Sequence, residues 1–124
     1  CLPLKVSGPF HSPYLKGAGE KLGEFMEETV LHELQIPYVT NVTAEYVTDI
    51  KETKDLLVRQ VASSVKWIQS VERMIAEGVD TFVEIGPGKT LAGFIKKINP
   101  DVKVINISQV EDLDIFLEEQ YVAG

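Results

Sequence analysis

Thr81-Phe82-Val83-Glu84-Ile85-Gly86-Pro87-Gly88 is the stretch that decides the fold. Its first residues are mostly β-branched or aromatic and read as a strand, which the Gly-Pro-Gly turn stops. Beyond the turn, Leu91, Phe94, Ile95 and Ile98 recur at steps of three or four, the spacing of a helix with one apolar face. Asn99-Pro100 ends that helix, and Val102-Lys103-Val104-Ile105-Asn106-Ile107 reads as a second strand. An acidic helix over 111–119 closes the pattern. Strands alternating with helices predict an α/β fold with a mostly parallel sheet flanked by helices.

The same reading extends toward the N-terminus. Residues 54–77 carry Leu57, Val61, Val65, Ile68, Val71 and Ile75 on one helical face, with Ser63-Ser64 a candidate break and Gly78 the C-cap. Residues 38–43 read as a strand, and 44–53 as a loop with a brief turn. Ile36-Pro37 stops a first long helix that opens at Ser12, an N-cap, with Pro13 at its first position. Leu15, Leu22, Phe25 or Met26, and Leu34 form its stripe, while Glu20, Lys21, Glu24, Glu27 and Glu28 face water. Gly17, Gly19 and Gly23 interrupt it, as expected where a helix packs closely or begins late. Residues 2–7 alternate like a strand at a sheet edge, where Pro3 is tolerated.

Composition excludes some classes. The chain has 124 residues, 44% hydrophobic and 25% charged, enough for one core. Acidic residues outnumber basic ones by 19 to 12, the opposite of a nucleic-acid-binding face. No apolar run approaches the ~20 residues of a membrane span, and no signal-peptide pattern opens the chain. A single cysteine, Cys1, forms no internal disulfide, which points to a reducing compartment such as the cytoplasm. A chain that starts at Cys1, in the middle of an expected strand, reads as a piece of a longer protein.

Chemistry-bearing residues are few. His11 follows the Gly8-Pro9 turn where a strand gives way to a helix, a position suited to a general base held between rigid elements. Its neighbour Ser12 is a poor nucleophile for it, because adjacent residues leaving a turn seldom aim together. Gly88-Lys89-Thr90 invites a phosphate-loop reading, but the leading glycine would have to stand at Val83, inside the strand. A tight strand-to-helix turn accounts for the motif, and its helix-start amides would hold an anion or polar partner only weakly. His32 reads as a surface histidine, Trp67 as core or packing edge, and the carboxylates of 111–119 as a solvated face. One cysteine and two histidines give no metal-ligand cluster at a known spacing.

Several stretches together resemble a known family. Residues 2–12 (Leu-Pro-Leu-Lys-Val-Ser-Gly-Pro-Phe-His-Ser), Asn41-Val42-Thr43-Ala44, Leu57-Val58-Arg59-Gln60, Val65-Lys66-Trp67 and Val83-Glu84-Ile85-Gly86-Pro87-Gly88-Lys89 are similar, in order and spacing, to the C-terminal part of malonyl-CoA:acyl-carrier-protein transacylases. The acyltransferase domains of polyketide and fatty acid synthases share the pattern. The resemblance implies the C-terminal part of a hydrolase-like α/β core over residues 9–124, preceded over 1–8 by the last strand of an inserted ferredoxin-like small subdomain. It also implies acyl transfer in fatty acid biosynthesis: a serine in an elbow outside this segment takes the malonyl group from coenzyme A and passes it to the phosphopantetheine thiol of acyl carrier protein. The position matching His11 is the general base. The backbone carbonyl of Gln60 is expected to orient the imidazole, and Phe10 to border the acyl pocket, where its bulk favours malonyl over a branched acyl group.

The resemblance implies no cofactor beyond the two thioester substrates. The expected partners are acyl carrier protein, a coenzyme A thioester and the missing N-terminal half of the same enzyme; nucleic acid and membrane are not among them. The serine elbow, the arginine for the malonyl carboxylate and the oxyanion loop all lie outside this segment, so the chain is expected to be inactive alone. Alternatives stay open at this stage: an acyltransferase domain of a multidomain synthase, against which the short tail 120–124 argues, and a non-catalytic α/β binding module. Carrier proteins are acidic, so docking to this acidic chain would call on Arg59, Lys66, Lys89, Lys96 and Lys97.

Overall fold

The computed structural model describes residues 8–123; of residues 121–123 it describes the helical backbone. The expectations for Cys1, for the edge strand over 2–7 and for most of the subdomain segment 1–8 therefore fall outside the described residues. The chain divides into two compact units, residues 1–73 and 74–124. Among the described residues, no helix is long and apolar enough to cross a membrane.

In the first unit, a single 3₁₀ turn (Pro13–Leu15) leads into α1 (Lys16–Glu27). Ser12 occupies the N-cap position with Pro13 after it, but its side chain makes no cap bond. Its hydroxyl instead donates to the Pro9 carbonyl at 2.6 Å and closes the preceding turn. Helix α1 stops well short of the expected end at Ile36. Glu24, Glu27 and Glu28 crowd the negative end of its dipole, which disfavours further turns. Leu34 has a competing destination: it packs with Tyr38 against the buried cluster Val42, Val47 and Leu56. Within α1, Met26 is the buried member of the stripe, whereas Phe25 is 79% exposed.

The strand expected over 38–43 shortens to β1 (Tyr38–Val39), which pairs antiparallel with β2 (Tyr46–Val47), inside the expected loop. Between them the chain turns tightly. Thr40 N–H donates to the Glu45 carbonyl at 3.2 Å, Ala44 N–H donates to the Thr40 carbonyl at 2.9 Å, and Ala44 takes a positive φ of 61°. Helix α2 (Ile50–Ala62) starts earlier than its apolar stripe suggested, because the Asp49 side chain caps it by accepting from Lys51 N–H at 2.9 Å. The break expected at Ser63-Ser64 is present, and α3 (Trp67–Ala76) begins after it.

Helices α1 and α2 pack through glycine. A Cβ on Gly19 would sit 2.9 Å from the Val58 carbonyl oxygen, and one on Gly23 would sit 3.3 Å from a Val58 methyl. Gly19 and Gly23 lie one turn apart, so the close-packing expectation holds for both. Gly17, whose Cβ would meet nothing within 4 Å, fits the other half of the expectation: it is the second residue of a helix that begins late, after the 3₁₀ turn.

In the second unit, α3 ends as expected at Gly78, whose φ of 99° suits glycine. Gly78 N–H donates to the Ile75 carbonyl and Val79 N–H to the Met74 carbonyl, both at 3.0 Å, the two bonds of a Schellman cap. Strands β3 (Thr81–Ile85) and β4 (Lys103–Ile107) pair in parallel, joined through α4 (Thr90–Ile98). Phe82, Ile95, Val102 and Ile107 are buried here. Helix α5 (Val110–Ala123) packs on β4 and runs longer at both ends than its acidic stretch suggested. Asp112 explains its start. Its Oδ2 accepts from the N–H of Ser108 and of Gln109, each at 3.0 Å, and from the Ser108 hydroxyl at 3.1 Å.

Candidate active site

His11 stands at the tip of the turn that Ser12 closes, exposed, with a φ of 56°. Left-handed backbone is uncommon for a residue other than glycine, although histidine visits it more readily than most. The conformation aims the imidazole at the end of α2, where Nδ1 lies 3.0 Å from the Gln60 carbonyl oxygen.

Helix geometry explains why that oxygen is available. α2 ends at Ala62, so the carbonyls of its last turn have no partner further along the helix. Gln60 O takes the Ser63 N–H at 3.4 Å and the imidazole at 3.0 Å. A carbonyl only accepts, so Nδ1 carries the hydrogen of the neutral ring and Nε2 is left with a lone pair. The arrangement presents one exposed, oriented basic nitrogen.

The Gln60 side chain is held as well, its Oε1 accepting from Asn41 Nδ2 at 3.3 Å. Asn41 in turn is anchored in the β1–β2 turn, with its carbonyl accepting from Lys66 N–H at 3.0 Å. Nothing in the spacing of Asn41 and Gln60 showed this contact. The only signal was that both lay in stretches carrying the family resemblance. Phe10 is 69% exposed, and its ring lies over Gly8, 3.1 Å from where a Cβ on that glycine would sit. Ser12 points its hydroxyl at Pro9, away from service as a nucleophile.

The Gly-Pro-Gly turn of the second unit is already satisfied from within. Gly86 and Gly88 take φ values of 138° and 91°. Glu84, on β3, turns its carboxylate onto the start of α4 and accepts from Leu91 N–H at 3.3 Å and Ala92 N–H at 2.8 Å. Two of the amides at the helix start are thus taken by the protein's own carboxylate, which leaves fewer of them for an anion. Asn106 Nδ2 pins the turn further by donating to the Gly88 carbonyl at 2.8 Å.

Of the basic candidates, Arg59 pairs with Asp55 at 3.4 Å, and Lys96 donates to the carbonyls of Pro100 and Val102. Among the described residues, no group of three or more histidine, cysteine or carboxylate side chains could hold a metal ion.

Comparison with known proteins gives a consistent answer. No family model matches the chain. A malonyl CoA-acyl carrier protein transacylase of Bacillus subtilis is 41% identical over 118 residues, which is 95% of this chain and 37% of the relative. The crystal structure of such a transacylase from Clostridium perfringens superposes with a TM-score of 0.89 at 38% identity, covering 98% of this chain and 39% of that one. A malonyl-transacylase solved in complex with a type II polyketide acyl-carrier protein gives a TM-score of 0.88 at 33% identity, over 95% of this chain and 38% of that one. The chain thus spans somewhat over a third of the length of the proteins it matches. In sequence and in fold alike, it is homologous to a portion of the malonyl CoA-acyl carrier protein transacylases.

Proposed function

We propose that this chain carries the general base of a malonyl-CoA:acyl-carrier-protein transacylase, with the nucleophilic serine supplied by the part of the enzyme that it does not span. The observation that carries the reading is the 3.0 Å bond from His11 Nδ1 to the Gln60 carbonyl, which leaves Nε2 as the base. In the first half-reaction, Nε2 takes the serine hydroxyl proton as the oxygen attacks the malonyl thioester, and the proton passes to the departing coenzyme A sulfur. In the second, Nε2 takes the proton of the phosphopantetheine thiol as its sulfur attacks the serine ester, and the serine oxygen recovers that proton. The Gln60 carbonyl is the positioning group in both. Phe10, beside the base, is the candidate border of the acyl pocket. The sequence resemblance, the carrier-protein complex of one structural neighbour and the low cysteine content support the carrier partner, the cofactor-free chemistry and a cytoplasmic setting.

A chimera tests this. In the Bacillus subtilis relative, the segment homologous to this chain is replaced by the chain itself, and malonyl transfer to acyl carrier protein is measured with intact-mass detection of the malonyl-enzyme. The chimera is expected to be active. His11→Ala is expected to cut transfer by roughly 100-fold or more and to prevent the ester from accumulating. Near-normal transfer by the variant would overturn the assignment of the base, and binding of malonyl-CoA without acylation by the unsubstituted chimera would favour a non-catalytic module.

A further inference from the structure

The contact between Asn41 and Gln60 does more than tie a turn to a helix. Gln60 has two oxygens with different duties: Oε1 accepts from Asn41 Nδ2 at 3.3 Å, and the main-chain O accepts from His11 Nδ1 at 3.0 Å. The residue lies in the last turn of α2, where helices fray because their carbonyls lose intrahelical partners. Among the described residues, what steadies the main-chain O of Gln60 besides the imidazole is a long 3.4 Å bond from Ser63 N–H. The side-chain bond to Asn41 crosses from that turn to a part of the fold that is fixed independently. Asn41 sits between buried Thr40 and buried Val42, and its own carbonyl is held by Lys66 N–H.

From this geometry we propose that Asn41 is a positioning residue for the base: by holding the Gln60 side chain, it fixes the carbonyl that selects the Nδ1–H tautomer of His11. The proposal rests on the reading of His11 as the base, but its central claim concerns the tautomer, which is measurable without activity. The Asn41 side chain bonds the Gln60 side chain, and Gln60 in turn bonds the imidazole. Its effect is on how much of the protein holds His11 with Nε2 unprotonated and correctly aimed.

The experiment uses the chimera, labelled with ¹⁵N at imidazole, with the His11 signals identified as those lost in His11→Ala. The unsubstituted chimera is expected to show a single Nδ1–H tautomer at His11. Asn41→Ala and Gln60→Met each remove the side-chain bond while leaving the Gln60-position carbonyl in place, and both are expected to give a mixture of tautomers. Gln60→Glu keeps an acceptor for Asn41 and is expected to restore the single tautomer. In the chimera, Asn41→Ala is expected to lower kcat about 3- to 10-fold, the worth of one net hydrogen bond, with KM unchanged. The Asn41→Ala, Gln60→Met double variant is expected to lose no more than either alone.

A single Nδ1–H tautomer in Asn41→Ala, or additive losses in the double variant, would overturn the proposal. If Asn41→Ala unfolds the chimera, Gln60→Met against Gln60→Glu decides alone. A tautomer that responds as expected in a chimera whose His11→Ala variant keeps its activity would leave the clamp standing and remove the base assignment instead.

Discussion

Gly19→Ala is the perturbation with the most to reveal, because one methyl group reaches both the fold and the candidate site. The new Cβ would lie 2.9 Å from the Val58 carbonyl oxygen, half an ångström short of the 3.4 Å at which ordinary contact begins. The obstacle is backbone, so no rotamer change relieves it; α1 and α2 must move apart. Overpacking of this kind costs about 1–3 kcal/mol. Alanine returns about 0.8–1 kcal/mol of helix preference over glycine, which leaves a net loss between about zero and 2 kcal/mol. Gly17→Ala is the matched control on the same helix, since its Cβ meets nothing within 4 Å and only the helix preference acts. Gly23→Ala is expected to fall between them, its 3.3 Å neighbour being a Val58 methyl that can yield. The assay is urea and thermal unfolding of the three variants beside the unsubstituted chain. Gly19→Ala is expected to melt several degrees below Gly17→Ala, since 1 kcal/mol moves a midpoint by about 4 °C in chains near this size. Equal midpoints for the two would refute the claim that glycine sets the α1–α2 spacing.

Two further outcomes follow from the helix starts of the second unit. The Ser108 N–H, then the Gln109 N–H and the Ser108 hydroxyl, hold the Asp112 carboxyl below the usual carboxylate range. A lowered folded value means the carboxylate stabilises the fold above about pH 4, and that this contribution is lost as pH falls further toward the folded value. A ¹³C carboxyl titration is expected to show a midpoint below that of an unfolded aspartate, and Asp112→Asn to remove the low-pH loss of amide protection at 108 and 109; a midpoint at or above the ordinary value contradicts the cap. Glu84→Ala is expected to cost about 1 kcal/mol and to speed exchange at the amides of Leu91 and Ala92, with Glu84→Gln milder because it keeps one acceptor oxygen. Unchanged exchange at those two amides would show that the carboxylate does not cap α4.

What the sequence revealed follows the range of the forces involved. Strand 81–85, helix 90–98 and the break at Ser63-Ser64 are set by neighbours within a few residues, so the pattern of side chains was enough to find them. The end of α1 was not, because Leu34 leaves the helical stripe for a cluster formed by Val42, Val47 and Leu56, much later in the chain. The start of α2 was legible and missed: Asp49 with Glu52 three residues on is the pattern of a capping box, and the apolar stripe drew attention past it. At the site, the local turn that presents His11 could be read directly. Its acceptor came only through family resemblance, because a bond between residues 49 apart in sequence leaves no periodicity to detect. The Asn41 contact, 19 residues from Gln60, left none either.

A main-chain carbonyl as the partner of His11, the proposed base, has a structural consequence. A carboxylate on a side chain can swing to follow a displaced imidazole, because its own torsions absorb small shifts of the backbone. A carbonyl in the last turn of a helix has no such freedom, so its alignment with His11 depends on where α2 as a whole is held. Two features of the first unit bear on that position and a third on the imidazole itself, and none is a proposed reactive group. Gly19 lets α1 approach to within contact of the Val58 carbonyl, two residues before Gln60. Asn41 holds the Gln60 side chain. The Ser12–Pro9 bond fixes the turn that gives His11 its positive φ. A glycine, an asparagine and a serine, far apart in sequence, thereby decide the direction in which one imidazole nitrogen faces. Substitutions at such positions are expected to alter the rate through alignment while leaving every chemical group of the site in place.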